Sequence, residues 1–359
     1  KRNAIILAHF YQDEEIQDIA DFIGDSLDLS RKAQMTKADV IVFCGVRFMA
    51  EVAKILSPNK TVILPDNRAG CSLEESCRAD MFKKFKEKHP DHIVLSYINC
   101  SAEIKALSDI IVTSSNAKKI ISGLPLDQKI IFAPDKHLGS YLNKITNRKM
   151  VLWNGTCIVH ETFSEKELIK AKVRNQEAKI IAHPECPENI LNYADFIGST
   201  SALLKFISDD KSKKFIVATE PHIIHQMKKL EPNKEYLIAP GVDGNCSCSN
   251  CPFMELNTME KLRDCLKNLS PEILIENELI LRAKKSLNTM LKLIKNKIIQ
   301  AIVNSDAFAD AIINICDQHY TDIDNLNNEI ENAIKSHDIV TRDDLGEIIE
   351  DRLALMEEE

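Results

Sequence analysis

HIVLSYIN, residues 92–99, reads as a strand with a chemically active end. Its apolar part is rich in β-branched residues, and Tyr97 and Asn99 close it. Two other stretches follow the same plan. AIILAHFY (4–11) ends on His9 and Tyr11, and AKIIAHPE (178–185) ends on His183 and Glu185. Each pair is spaced i, i+2, so both side chains share one face while the strand continues. His9, Tyr97 and His183 stand 88 and 86 residues apart.

Other apolar runs fill the intervals: VIVFCG (40–45), TVILPD (61–66), DIIVTS (109–114), KIIFAPD (129–135), DFIGST (195–200) and KFIVATE (214–220). Short continuous apolar runs separated by helical stretches indicate buried parallel strands in α/β layers. The repeat extends beyond the first strands. Ser26, Ser114 and Ser199 are spaced by 88 and 85 residues, and Cys71, Cys157 and Cys251 by 86 and 94. A period this long is not a solenoid repeat. It predicts three small β-α-β-α-β domains of the α/β class, over 1–88, 89–174 and 175–292, with a helical extension over 293–359. Ligands of such sheets bind at the carboxyl ends of strands, where all three repeats carry their polar residues.

Bulk properties narrow the function classes. The chain has 359 residues, 44% apolar and 28% charged, with a net charge of -8. That balance supports a large core and argues against a nucleic-acid partner. No apolar run approaches the ~20 residues that span a bilayer. The opening KRNAIILAHF shows no signal-peptide pattern. Eleven cysteines, odd in number and mostly in apolar settings, fit a reducing cytoplasm better than a disulfide framework. Cys44 and Cys316 read as packing residues, and so does Cys77.

The remaining cysteines invite a metal. In GVDGNCSCSNCPFMELN (241–257), Cys246, Cys248 and Cys251 fall within six positions. Two readings stand at this point. In one, these three and a further ligand hold zinc in an α/β binding module. In the other, Cys251 joins Cys71 and Cys157 from the other repeats. Three such thiols leave zinc one protein ligand short. They suit three irons of a [4Fe–4S] cluster whose fourth iron stays open as a Lewis acid. Glu185 beside such a cluster is a candidate general base.

GDSLDLS, TSSNAKK and GSTSALL place hydroxyls where strands give way to helices. They read as helix caps that are also compatible with anion binding. GSTS suits a phosphate best, whereas Asp25 beside Ser26 disfavours one. Glu220 is a possible site residue at a strand end, and His222 and His225 read as structural or solvated.

Taken in order, LAHFYQ, GDSLDLSRKA, VIVFCGVRFMAEVAKIL, PDNRAGCSLEESC, VTSSNA, FAPDKHLGSYL, WNGTCIVHE, AHPEC, GSTSALL and CSNCPFMELNTMEKL resemble the quinolinate synthase family over residues 4–290. The resemblance implies three similar αβα domains around a pseudo-threefold axis. It implies condensation of iminoaspartate with dihydroxyacetone phosphate to quinolinate, with loss of phosphate and water. An L-aspartate oxidase or aspartate dehydrogenase would supply the iminoaspartate. It implies a [4Fe–4S] cluster on Cys71, Cys157 and Cys251, with Glu185, Tyr11, His183 and Tyr97 catalytic. His9, Ser26, Asn99, Ser114, His160, Ser199 and Thr200 would bind substrate. Of these, Glu185 would remove protons, Tyr11 would close on the intermediate, and Ser199 and Thr200 would contact the phosphate.

The last cysteine motif departs from the family's C-x-x-C-x-x-C by reading C-x-C-x-x-C. The tail beyond about 292 lies outside the resemblance. It reads as amphipathic helices, with Thr341 and Asp344 in a capping-box arrangement.

Overall fold

The computed structural model describes residues 3–242 and 249–303, with side chains up to 294. Cys246, Cys248, Cys316 and the expected Thr341 cap lie outside the described residues. The three repeats are three separate four-stranded sheets, all parallel, within a compact unit spanning 1–288.

The first sheet holds β1 (Ala4–His9), β2 (Phe22–Gly24), β3 (Val40–Cys44) and β4 (Thr61–Ile63), in the order β2-β1-β3-β4. The second holds β5 (Ile93–Tyr97), β6 (Ile110–Val112), β7 (Ile130–Ala133) and β8 (Val151–Leu152), in the order β6-β5-β7-β8. The third holds β9 (Lys179–Ala182), β10 (Phe196–Ile197), β11 (Lys214–Ala218) and β12 (Glu235–Ile238), in the order β10-β9-β11-β12. Each sheet therefore has one strand more than the three expected from sequence. The additions are β2, β8 and β12, of two to four residues.

The same local bond opens every module. An aspartate just before the second strand accepts the amide of a first-strand residue. The pairs are Asp21 with Ile6 at 2.7 Å, Asp109 with Val94 at 2.8 Å and Asp195 with Ile180 at 2.8 Å. Register repeats too, since Ala8 pairs with Cys44, Ser96 with Ala133 and Ala182 with Ala218. First-strand ends are thereby fixed at equivalent points.

Both faces of the third sheet are buried. Ile180, Ala182, Ile216 and Ala218 pack on one side with Leu168 and Ile190. Ile181, Phe215 and Val217 pack on the other with Leu203, Ile207 and Met227. Alternate residues entering two cores is what a sheet with helices on both sides requires, and it explains why its strands read as unbroken apolar runs. Cys44 and Cys265 lie in the core of the first sheet, against Ile16 and Leu262. The helix Met259–Asn268 thus returns from the far end of the chain to cover β1 and β3. The helix Asn277–Val303 ends the described chain. Among the described residues, no helix is long and apolar enough to cross a membrane.

Candidate active site

The carboxyl ends of the three sheets meet at one cavity of about 70 Å³. The first module contributes His9, Tyr11, Ser26 and Cys71 to its wall. The second contributes Tyr97, Asn99, Ser114, Cys157 and His160, and the third His183, Glu185, Thr200 and Cys251. Ser199 stands apart. It is buried behind the wall and caps the helix Thr200–Asp209, accepting the Ala202 amide at 3.3 Å. At the first module Asp25 is the cap, accepting from the Leu27 and Asp28 amides, so Ser26 is the first helical residue.

The three cysteines share a local geometry. Each opens a helical turn in which the amide four residues on donates to its carbonyl, from Glu75, Glu161 and Glu255 at 2.9, 3.0 and 3.1 Å. The amide three residues on, of Glu74, His160 and Met254, points at the sulfur and favours thiolate. Burial outweighs those amides. It raises the Cys71 and Cys157 thiols well above their ordinary range and Cys251 to about 11. A bound cation would reverse that balance, because metal ligation deprotonates thiols.

Among the described residues, the metal-capable atoms that all lie within 4.8 Å of one another belong to Cys157, His160 and Glu185. The three thiols do not form such a group, although they line one cavity. A single tetrahedral zinc at about 2.3 Å from each sulfur would draw them closer than that. A cluster that places each cysteine on a different iron needs the wider spacing. The donor set fits a multi-iron group better than one ion.

Glu185 is the centre of the polar groups. The Tyr97 phenol donates to its Oε1 at 2.6 Å, and His160 Nδ1 lies 3.0 Å from its Oε2. Burial opposes ionisation here. The neighbouring His160 and the Tyr97 hydrogen bond overcome it and hold the carboxyl below its usual range. Glu185 is therefore a buried carboxylate, an acceptor only. Burial keeps the Tyr97 and Tyr11 phenols protonated.

His9 and His183 are neutral donors into the same space. Burial lowers them to about 3 and about 4. The amide two residues on donates to Nδ1 in each, Tyr11 to His9 at 3.2 Å and Glu185 to His183 at 3.4 Å. That leaves the ring proton on Nε2 in both. Asn99 Oδ1 is buried on the cavity wall without a partner among the described residues, and it can accept from a donor on a substrate.

Other wall residues were not singled out from sequence. Phe48 and Met49 come from the helix Arg47–Leu56 and supply apolar surface. Ser72 follows Cys71, and Thr113 precedes Ser114. Glu220, by contrast, reads from sequence as a site residue at a strand end; it is fully buried on the wall and accepts the Cys251 amide at 3.3 Å, while its other contact is His222 at 2.7 Å.

A family model described as Quinolinate synthetase A protein matches residues 1–292. The chain belongs to this family. Quinolinate synthase of Ehrlichia chaffeensis is 62% identical over 293 residues, 81% of this chain and 93% of that protein. Quinolinate synthase of Prochlorococcus marinus is 59% identical over 293 residues, covering 82% and 88%. That of Nostoc punctiforme is 58% identical over 291 residues, covering 81% and 90%. The stretch shared with the quinolinate synthase family contains all three sheets and every wall residue named above.

Proposed function

We propose that this chain is a quinolinate synthase that condenses iminoaspartate with dihydroxyacetone phosphate, releasing phosphate and water. The observation that carries the reading is the arrival of Cys71, Cys157 and Cys251, one from each module, at the cavity that holds Glu185. These three thiols would bind a [4Fe–4S] cluster through three irons. Such a cluster supplies an open coordination position of Lewis-acid character.

The protein's own groups do the rest. Glu185, ionised and oriented by Tyr97, removes protons from the condensing carbon and nitrogen centres. His9 and His183 offer Nε2–H to substrate oxygens without carrying charge. Ser26, Ser114 and Thr200 supply hydroxyls for the anionic groups. Thr200 opens a ten-residue helix, so its end also attracts a phosphate or carboxylate. Ser199 contributes indirectly by capping that helix. Tyr11 covers the pocket beside His9, their rings 4.6 Å apart and edge-on. The small, mostly buried chamber limits water, which competes with dehydration steps.

Cys44, Cys71, Cys77, Cys100, Cys157, Cys186, Cys251 and Cys265 are all free, which supports a reducing cytoplasmic setting. Quinolinate formation by anaerobically purified protein from the two substrates tests the reading. Turnover that disappears in Glu185→Gln supports it. An iron-loaded parent that forms no quinolinate contradicts it.

A further inference from the structure

Lys105 is fully buried and stands fourth in the short helix Ala102–Leu107. Its amine donates to the carbonyl of Cys100, the residue after Asn99 on the cavity wall. The nitrogen also lies over the ring of Phe48, 5.4 Å from its centre, and Phe48 is a wall residue of the first module. Lys105 therefore backs two pieces of wall that different modules supply. Among the described residues it has no salt-bridge partner. Glu51 is committed to the Ala102 amide at 2.9 Å and to Arg47 at 3.3 Å. Glu74 is near enough to feel the charge without pairing with it. Buried charges are ordinarily paired, so a lysine in this place calls for a reason.

The threefold repeat separates what the bond does from what the charge does. Gln17, Lys105 and Leu191 are each the fourth residue of the helix that follows a first strand, and all three are buried. Gln17 Nε2 donates to the carbonyl of Gln12 at 2.7 Å, five residues back, as Lys105 does to Cys100. Gln12 follows the wall residue Tyr11 just as Cys100 follows Asn99. A neutral amide is thus enough to hold this turn. The second module has a cation in its place, set against an aromatic ring.

A cation is also what the wall lacks. Among the described residues, no lysine or arginine lines the cavity. We infer that Lys105 is a positioning residue for anionic substrates, holding the Asn99–Cys100 turn and lending positive charge to the cavity from behind the Phe48 ring. This rests on the proposed function, in which the substrates carry carboxylates and a phosphate. A cation on the wall itself would pair with the ionised Glu185 and weaken it as a base. Behind Phe48 the amine makes no contact with that carboxylate, yet its field crosses a ring that leaves no water between to screen it.

The test uses the anaerobically purified, iron-loaded protein. Lys105→Gln keeps a donor for the turn, as the first module does, and removes the charge. Lys105→Met, of similar length, removes both. Binding of inorganic phosphate is measured by calorimetry, and KM and kcat by quinolinate formation. Both variants are expected to bind phosphate ~10-fold more weakly than the parent and to raise the KM of both substrates by a similar factor, with a smaller change in kcat. Lys105→Gln is expected to melt close to the parent and Lys105→Met below it. Either variant suffices for the affinity comparison should the other not fold. Parental phosphate affinity in Lys105→Gln, or a loss of kcat with KM unchanged, overturns the inference. A parent that forms no quinolinate refutes the proposed reaction instead, and the phosphate affinities still decide the role of Lys105.

Discussion

Ser72 Oγ accepts the backbone N–H of Ile158 at 3.1 Å, and it also reaches the carbonyl of Thr156 at 3.4 Å. One hydroxyl thereby ties the residue after Cys71 to both neighbours of Cys157, fixing two turns from different modules against each other. Ser72→Ala is expected to lower stability by about 1 kcal/mol, the usual worth of such bonds. It is also expected to speed iron loss to a chelator, read from the decay of visible absorbance. Parental iron retention would show that the tie is not what spaces the two thiols.

Tyr97 and Glu185 make the shortest side-chain bond at the cavity centre, 2.6 Å. Removing a donor from a buried carboxylate leaves charge without its partner. Tyr97→Phe is expected to reduce kcat by roughly 10- to 100-fold and stability by about 2 kcal/mol. Steady-state quinolinate formation and urea denaturation measure the two effects separately.

Gly155 sits in the turn two residues before Cys157. A Cβ there would meet the side chain of Ser76 and come within 2.5 Å of the Pro134 carbonyl oxygen. The serine can rotate, but the carbonyl belongs to backbone already bonded to the Gly155 amide at 3.1 Å. Gly155→Ala is expected to destabilise the protein by about 1–3 kcal/mol and to lower iron content by displacing Cys157. Thermal unfolding and iron analysis of the same preparation check both.

Asp28 provides a pH-dependent outcome. Burial, and then the charge of Asp25, raise its carboxyl from 3.8 to about 6. Ser201 Oγ of the third module donates to Asp25 at 2.9 Å and lies 3.3 Å from Asp28. The folded state binds this proton more tightly than the unfolded chain. Stability from this group is therefore full below about pH 4 and falls as pH rises through 6. Asp28→Asn is expected to stabilise by about 1 kcal/mol at pH 7.5, a value reduced for solvent screening. The gain should vanish near pH 4. Urea midpoints at the two pH values give the answer, and an equal gain at both would contradict it.

The threefold plan was legible because its chemistry repeats at strand ends, where side chains are selected for the cavity. His9, Tyr97 and His183 carried it, and so did the cysteines. Strands β2, β8 and β12 were not, since two to four residues give little period to detect. Even so, β2 had a signal: ADFIG occurs at 20–24 and again at 194–198, around β10. A glutamate four residues after each of Cys71, Cys157 and Cys251 was a further mark of equivalent turns. Thr219 was hidden for a different reason. Its hydroxyl meets Tyr11 at 2.7 Å and His160 at 3.0 Å, 208 and 59 residues away in sequence, and no local pattern encodes such contacts. Capping and anion binding favour the same residue types, so the sequence could not tell the Ser199 cap from the wall position of Thr200.

Iron, sulfide and zinc should be determined per chain on protein purified without oxygen, together with Cys71→Ala, Cys157→Ala and Cys251→Ala. A cluster shared by the three modules requires about four irons and four sulfides in the parent and their loss in every variant. One zinc that survives Cys71→Ala and Cys157→Ala would contradict it.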